Sequence, residues 1–325
     1  MALRSGLDAQ LGAKQETTYG TYAAPDHFYE FVSEGLKLNQ QFRSAKSIRA
    51  ATRVQRQDRQ STSKKGASGP ITLEPVTKGF GLLLNNILGT VAITTPGGGV
   101  TSRLQTHTIG DLFGKSLTLQ VGRPDVAGTV QPFSYVGAKF TSWELSQSLD
   151  DYLGFTVDVD AQDETTAQAL AAKSYPASAV PFHDGQLAVT VAGSAFDSQS
   201  VSVRGETGLK TDRYFVRTDT KKKEQIPADM VALGGALQGE FESLTAYNRF
   251  VNSTIVAITY TWTGSLIEGA LAYYLKVTLP ACRFDGETPV VGGPGVLEQP
   301  LPFTVLDNGV DQPITIEYQS TDTAV

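Results

Sequence analysis

Segments of alternating apolar and polar residues recur along most of the 325-residue chain. A period of two is typical of a β-strand that buries one face and exposes the other. The 32 Gly and 15 Pro, together with abundant Thr and Val, favour strands joined by many turns. The sequence therefore predicts a mainly β protein with minor α. The predicted strands span residues 31–38, 71–74, 116–121, 134–146, 154–160, 187–191 and 200–204.

Two segments predict helices, each of them after a predicted strand. In residues 78–88 the large apolar side chains fall at helical spacing, and Gly89 follows as a typical helix end. The second segment, residues 243–255, comes directly after Gly239-Glu-Phe-Glu. The apolar residues of the first segment are Phe80, Leu83, Leu84, Ile87 and Leu88.

The order of elements in the first half repeats in the second: strand, long loop, strand, helix, strand and strand pair. The clearest local match sets Gly137-Ala-Lys-Phe against Ala281-Cys-Arg-Phe, which pairs Ala138 with Cys282, Lys139 with Arg283 and Phe140 with Phe284. A shared order of this length predicts an internal duplication. We therefore expect two tandem units, residues 1–160 and 182–325, joined by a linker at 161–181 with room for a short helix.

Charge is distributed unevenly along the chain. The formal net charge is −6, yet residues 43–65 contain eight cations and one acid, a local charge of +7 that leaves −13 elsewhere. The surrounding residues 39–68 have few large apolar side chains, which predicts a projecting basic loop. The eight cations are Arg43, Lys46, Arg49, Arg53, Arg56, Arg59, Lys64 and Lys65.

Three interpretations of this basic segment are open. It is a solvated charged loop, a surface that docks onto an acidic face of another copy, or a nucleic-acid contact. Nucleic-acid binding is the least favoured, because no aromatic residue lies between Phe42 and Phe80 to stack on bases. The spacing of three or four residues would align the cations on a helix but not on an extended hairpin.

No catalytic pattern fits the sequence, so we do not expect an enzyme, a metal site or a cofactor. The three His residues are far apart, and the phosphate-loop-like segment that begins at Gly110 has three residues between its glycines where four are required. Asp158, Asp160 and Asp163 lack the Gly and Glu of a calcium loop. Cys282 is the single cysteine, which excludes an intrachain disulfide. Without a long apolar run or the apolar core of a signal peptide, synthesis in a cytoplasm and no membrane contact are expected.

Several segments resemble the tail tube (major tail) proteins of bacteriophages with long, non-contractile, siphovirus-type tails. The similarity covers both ends and much of the first half, and its specificity comes from the order of the segments. They are Leu7-Asp-Ala-Gln-Leu-Gly, Glu16-Thr-Thr-Tyr-Gly-Thr-Tyr, Ser68-Gly-Pro-Ile-Thr-Leu-Glu, Thr77-Lys-Gly-Phe-Gly-Leu-Leu-Leu, Pro302-Phe-Thr-Val-Leu, Pro313-Ile-Thr-Ile-Glu-Tyr and Ser320-Thr-Asp-Thr.

The resemblance implies that each unit is a β-sandwich or barrel flanked by a helix, with long projecting loops. Sheets of neighbouring copies would join around a lumen, and rings would stack into a virion tail tube through which DNA passes during ejection. Tape-measure and tail terminator or tip proteins would be the other partners. Since such tubes have sixfold character, two units per chain favour three copies per ring over six.

An acidic lumen wall would let DNA slide without sticking, and the eight cations at residues 43–65 would contact the next ring. Two alternative functions remain: a DNA-binding module that uses residues 43–65, and a receptor- or carbohydrate-binding tail component.

Overall fold

A computed structural model describes residues 5–286 and 288–325. The fold is mainly β with two short helices, which confirms the predicted class. The first half contains β1 (Gln10–Gln15), β2 (His27–Tyr29), β3 (Phe31–Glu34), β4 (Lys37–Ser44), β5 (Gln60–Leu73), α1 (Gly81–Leu88), β6 (Gly89–Thr94), β7 (Arg103–Ile109), β8 (Leu117–Pro124), β9 (Val130–Ser148), β10 (Gly154–Ala161) and β11 (Asp163–Thr165).

The second half contains β12 (Leu187–Val191), β13 (Ser194–Ala195), β14 (Ser200–Glu206), β15 (Leu209–Lys210), β16 (Ile226–Pro227), β17 (Ala232–Glu240), α2 (Leu244–Val251), β18 (Ile255–Glu268), β19 (Leu271–Phe284), β20 (Glu298–Val305) and β21 (Thr315–Ser320). Short 3₁₀ turns lie at Gly6–Asp8, Gln57–Arg59 and Asp184–Gln186.

Both predicted helices are confirmed. A glycine ends the first helix, and a serine caps the start of the second. Gly89 follows α1 with φ 98°, a left-handed conformation that a side chain would strain, and a Cβ there would lie 2.7 Å from the carbonyl oxygen of Gly110. Ser243 precedes α2, and its hydroxyl accepts a hydrogen bond from the Thr245 N–H. All eight residues of α1 are buried, whereas no residue of α2 is fully buried.

Two segments differ from the sequence-based expectation. Residues 39–68 form the greater part of a β4–β5 hairpin in place of a loop, because each strand provides the hydrogen-bond partners of the other. Residues 161–181 hold the short strand β11 and no helix. Side chains of the first half form hydrogen bonds with this segment. The Gln120 amide donates to Ala169 O and accepts from the Ala171 N–H, and the Gln10 amide donates to Ala171 O.

Strand pairing follows the same scheme in both halves. In the first half β1 pairs with β8, β8 with β9, β9 with β10, β10 with β5 and β5 with β3, all antiparallel. In the second half β12, β18, β19, β20, β17 and β14 pair in the same succession. The sequence pattern predicted this order of elements, but not the partners of each strand.

The two halves also share one irregularity of register. In the first half Leu117 lies opposite Ala138 and Leu119 opposite Tyr135, so β9 has one extra residue. In the second half Val256 lies opposite Cys282 and Ile258 opposite Leu279, which is the same bulge. Ala138 and Cys282 therefore occupy equivalent positions, as in the sequence match.

Hydrogen-bonded strands join the halves. β14 of the second half pairs along β9, from Ser200 opposite Ser148 to Glu206 opposite Ser142. β21 pairs with β7 of the first half, where Ile316 lies opposite His107. One hydrophobic cluster runs through both halves. The division into units at 1–160 and 182–325 stays a prediction about folding units.

Candidate functional site

The first candidate surface is one sheet that crosses from the first half into the second. Its order is β3, β5, β10, β9, β14, β17, β20, and we call it the shared sheet. One face packs on the core through side chains such as Leu145, Val157 and Val203, each 1% exposed. The register fixes which residues line the opposite face, since side chains alternate along every strand.

Small and hydroxyl-bearing residues dominate this opposite face, and its charges are mostly negative. The acids Glu144, Asp158 and Glu206 lie near its middle, beside the single cation Arg204. One row across the strands reads Thr72, Thr156, Glu144, Arg204, Gly234 and Thr304, and the next reads Pro70, Asp158, Ser142, Glu206 and Ala232. The middle of this face is therefore acidic, with Arg204 among the three carboxylates.

The second candidate surface is the basic arm, residues 39–68, formed by most of β4 and β5 and the tip between them. Pairing extends from Lys37 opposite Ser68 to Ser44 opposite Gln60, with a register shift between Gln41 and Phe42. Because the arm is an extended hairpin, the cations do not form a single helical stripe.

The eight cations separate into two groups by position. At the base, Lys65 Nζ lies 2.6 Å from Asp163 Oδ1, and Lys64 lies 5.0 Å from the centre of the Tyr214 ring. Toward the tip, Arg56 binds Asp58 through two nitrogens, at 2.8 and 2.6 Å. The remaining five, Arg43, Lys46, Arg49, Arg53 and Arg59, are exposed. Lys65 therefore anchors the base of the arm, Lys64 lies exposed over the Tyr214 ring, and five exposed cations present charge along the arm.

Sequence reasoning missed the apolar side chains of the arm. Ile48 is 99% exposed, Val54 80% and Phe42 68%. Each of these residues stands alone among cations in the sequence, so the interpretation of the segment rested on its charge. Single exposed apolar side chains are ordinary on a protein surface, and here they lie among the exposed cations of the arm.

Buried ion pairs hold the loop at residues 207–231 of the second half against the first half. Lys139 Nζ is 2.7 Å from Glu224 Oε1 and also donates to the carbonyls of Leu112 and Gln225. Burial lowers the pKa of Lys139, and the carboxylate of Glu224 opposes this effect. Lys222 binds Asp160 in the same layer.

Asp163 connects this loop to the basic arm. Its carboxylate lies between Lys65 and Lys221, at 2.6 and 2.7 Å. Burial by itself raises the pKa of Asp163, but the two ammonium groups together hold that pKa below its usual range. The base of the arm is thus fixed while the tip projects.

Within residues 5–286 and 288–325, no group of three or more His, Cys, Asp or Glu side chains could hold a metal ion. No helix in the described part of the chain has the length and apolarity to cross a membrane. His107 is buried and neutral, since burial lowers its pKa to about 3.

A mainly β chain with an extended shared sheet and a charged projecting arm has the features of a structural assembly protein. The family model described as phage tail tube protein matches residues 6–305, and the chain belongs to that family. No curated protein matches the chain. The family places the protein in the virion tail, where it assembles with copies of itself into a tube and with other tail components.

Proposed function

We propose that this chain polymerises as stacked rings into the tube of a long, non-contractile, siphovirus-type tail, and that the tube conducts DNA during ejection. The family match over residues 6–305 carries this proposal. Two units per chain favour three copies per ring. In this function the chain is a structural component and has no catalytic role.

The shared sheet is the proposed lumen wall. Its outward face carries Glu144, Asp158 and Glu206 among small side chains, so it would repel DNA phosphates and give bases nothing to insert against. Replacing these three acids with Lys should leave tubes intact but retard DNA ejection from virions. Replacing three exposed acids elsewhere, Asp212, Asp219 and Asp229, makes the same charge change and should leave ejection unaffected.

The basic arm is the proposed contact between rings. Its tip combines exposed cations with the exposed apolar residues Ile48 and Val54, and the rest of the chain is acidic. Many such contacts would add along a polymer even if each is weak. The eight cations remain the proposed contact set, with Lys64 and Lys65 acting from the base of the arm.

Charge reversal at the tip tests this role. Lys46→Glu with Arg49→Glu and Arg53→Glu should leave a folded subunit that forms no tubes under negative-stain microscopy. The matched control reverses Lys115, Lys173 and Lys210, which lie outside the arm, and should still form tubes. Normal tubes from the arm variant would refute the proposal.

A DNA-binding module is the second candidate, and the exposed cations at the tip are the observation that favours it. Phosphate neutralisation predicts a steep loss of affinity with rising salt. A filter-binding titration of duplex DNA across salt concentrations decides between the two: salt-dependent binding that the arm reversal removes supports the module, and no binding supports the ring contact.

A further inference from the structure

The repeated pairing scheme identifies equivalent positions in the two halves. In the first half a row across four strands reads Lys37, Ser68, Asp160, Lys139. In the second half the corresponding row reads Arg204, Gly234, Thr304, Arg283. Lys139 and Arg283 are also paired by the local sequence match. By the same rows, Lys37 corresponds to Arg204. Ser68 corresponds to Gly234.

The basic arm therefore has a counterpart in the second half. Residues 38–67 connect the two equivalent positions of the first half, and residues 205–233 connect those of the second, so the connections differ in length by one residue. We call residues 207–231 the second arm. Its strands β15 and β16 pair at its base, as β4 and β5 do in the basic arm. Both halves therefore begin an arm at the same place.

The two arms take different paths beyond the base. Pairing in the basic arm continues outward to Ser44 opposite Gln60, and the tip projects. The second arm turns back onto the first half, where Lys222 is 3% exposed and Gln225 is fully buried. Both side chains bind the Asp160 carboxylate. Separating buried charges from their partners is unfavourable, so these contacts keep the second arm folded.

In this folded position the second arm lies along the base of the basic arm. The Lys65 N–H donates to Thr220 O at 3.1 Å, and the Tyr214 hydroxyl donates to Lys65 O at 3.3 Å. Lys65 and Lys221 form an isolated parallel β-bridge, and the Asp163 carboxylate lies between their ammonium groups. The second arm and Asp163 together therefore hold the backbone and the side chain of Lys65.

We propose that the second arm is a brace, which stays folded on the first half in the assembled tube and fixes the direction of the basic arm. Asp163 is a positioning residue in this device, since it acts on the arm through Lys65. A fixed base lowers the conformational entropy that the arm loses when it docks. This role rests on the proposed stacking of rings and names what orients the arm for that contact.

The brace also determines how many arms a ring projects. Two units per chain would supply six equivalent arms in a ring of three copies. Because the second arm is held on its own molecule, each copy projects the basic arm alone. A ring of three copies would therefore make three arm contacts with the next ring.

Hydrogen exchange at the Lys65 amide measures the brace in unassembled subunits, because the acceptor of this N–H, Thr220 O, lies in the second arm. Asp163→Asn removes the charge that holds the Lys65 and Lys221 side chains together. The Lys65 amide should then exchange at least roughly tenfold faster than in wild type, since hydrogen bonds to a charged group are stronger than neutral ones. An unchanged exchange rate would overturn the brace.

Two controls make this readout specific. The amide of Gly35 donates to Pro70 O at 2.8 Å, near the far end of β5, and should keep its wild-type rate in Asp163→Asn. Asp212→Asn removes an acid of the second arm whose ion pair with Lys210 is solvent-exposed, and it should change neither rate. Faster exchange at both amides of Asp163→Asn would indicate general destabilisation and would overturn the local role of Asp163.

A reversible disulfide tests whether the second arm stays folded in the tube. Bridged residues of neighbouring strands lie about 4.7–4.9 Å apart, within the Cα range of a disulfide. Lys65→Cys with Lys221→Cys should therefore cross-link within one subunit on mild oxidation. Asp163→Asn is included in this variant, so that no carboxylate is buried without a cation. The native Cys282 should stay reduced, because it is buried and burial raises its thiol pKa to about 12.

Negative-stain microscopy then compares the two redox states of this variant. The oxidised protein, in which the bond replaces the ion pairs, should form tubes, and the reduced protein should lose most of them. Tubes from the reduced protein alone would mean that the second arm must leave the first half, which overturns the brace. Equal tubes in both states, or tubes in neither while wild type forms them, would also overturn it.

The exchange measurement separates this role from the proposed function. If wild type forms no rings or tubes, the proposed function fails, while slow exchange at Lys65 that Asp163→Asn accelerates still supports the folded brace. If wild type forms tubes and Asp163→Asn leaves the Lys65 amide unaffected, the brace fails and the tube function stands.

Discussion

Replacing His107 should remove a distinct part of the pH dependence of folding. The side chain is fully buried on β7, opposite Ile316 of β21, where the two halves pair. Its Nε2 lies 3.2 Å from Gln105 Oε1, and its Nδ1 has no hydrogen-bond partner among the described residues. A charged imidazole at this position would lack both solvent and a counter-charge, which is why burial lowers the pKa to about 3.

The direction and the size of this pH effect follow from the linkage between protonation of His107 and folding. The unfolded chain binds a proton at His107 near pH 6.5, while the folded chain stays neutral down to about pH 3. Stability is therefore fully present above pH 6.5 and is lost as pH falls toward 3. Between pH 7.5 and pH 5 the difference amounts to about 2 kcal/mol for this residue.

Urea unfolding of unassembled subunits at pH 7.5 and pH 5 measures the effect. His107→Gln keeps a donor for Gln105 and does not titrate, so the pH-dependent loss of its unfolding free energy should be smaller than that of wild type by about 2 kcal/mol. All other titrating groups are common to both proteins and cancel in the comparison. An equal loss of unfolding free energy between pH 7.5 and pH 5 in wild type and variant would refute the argument.

Three further predictions concern stability and can be checked by the same unfolding measurements. Glu224→Gln leaves the buried Lys139 ammonium without its counter-charge and should lower the free energy of unfolding by roughly 3–5 kcal/mol. The double variant with Lys139→Met should recover most of this loss. Additive losses from the two substitutions would contradict the buried ion pair. Gly89→Ala forces a side chain into the left-handed end of α1 and should cost more than about 1 kcal/mol, whereas an unchanged midpoint would show that the helix end relaxes. Leu84→Ala, at a fully buried site in α1, should lower the free energy of unfolding by about 2–5 kcal/mol. Leu244→Ala, at a site in α2 that is 60% exposed, should lower it by less than about 0.5 kcal/mol. Equal losses would mean that burial does not distinguish the two helices.

Local sequence patterns predicted the elements of this fold well. Residues 78–88 have their apolar side chains at helical spacing and end at a glycine, and both properties act within a single helix. The strands at 154–160 and 187–191 alternate because each buries one face. The strand at 116–121 alternates in sequence, yet it is buried on both faces. In such segments the periodicity and the terminating residue suffice to predict the element without information from the rest of the chain.

The sequence also located the charge of the basic arm but not its form. Eight cations within residues 43–65 are visible in the sequence, whereas their separation into base and tip is not. That separation depends on Asp163 and Tyr214, which are distant along the chain. No local pattern indicates that two of the cations have partners so far away.

By itself, the sequence determined the β class, both helices, the repeated order of elements and the uneven charge, since these follow from short-range periodicity and composition. Only the tertiary structure decided which strands meet: β14 lies on β9, and β21 lies on β7. Strand partners are chosen by long-range hydrogen bonds and by the packing of side chains such as Val203 on Leu145, and many pairings satisfy the same alternation. The joint between the halves could therefore be recognised only once the register was known.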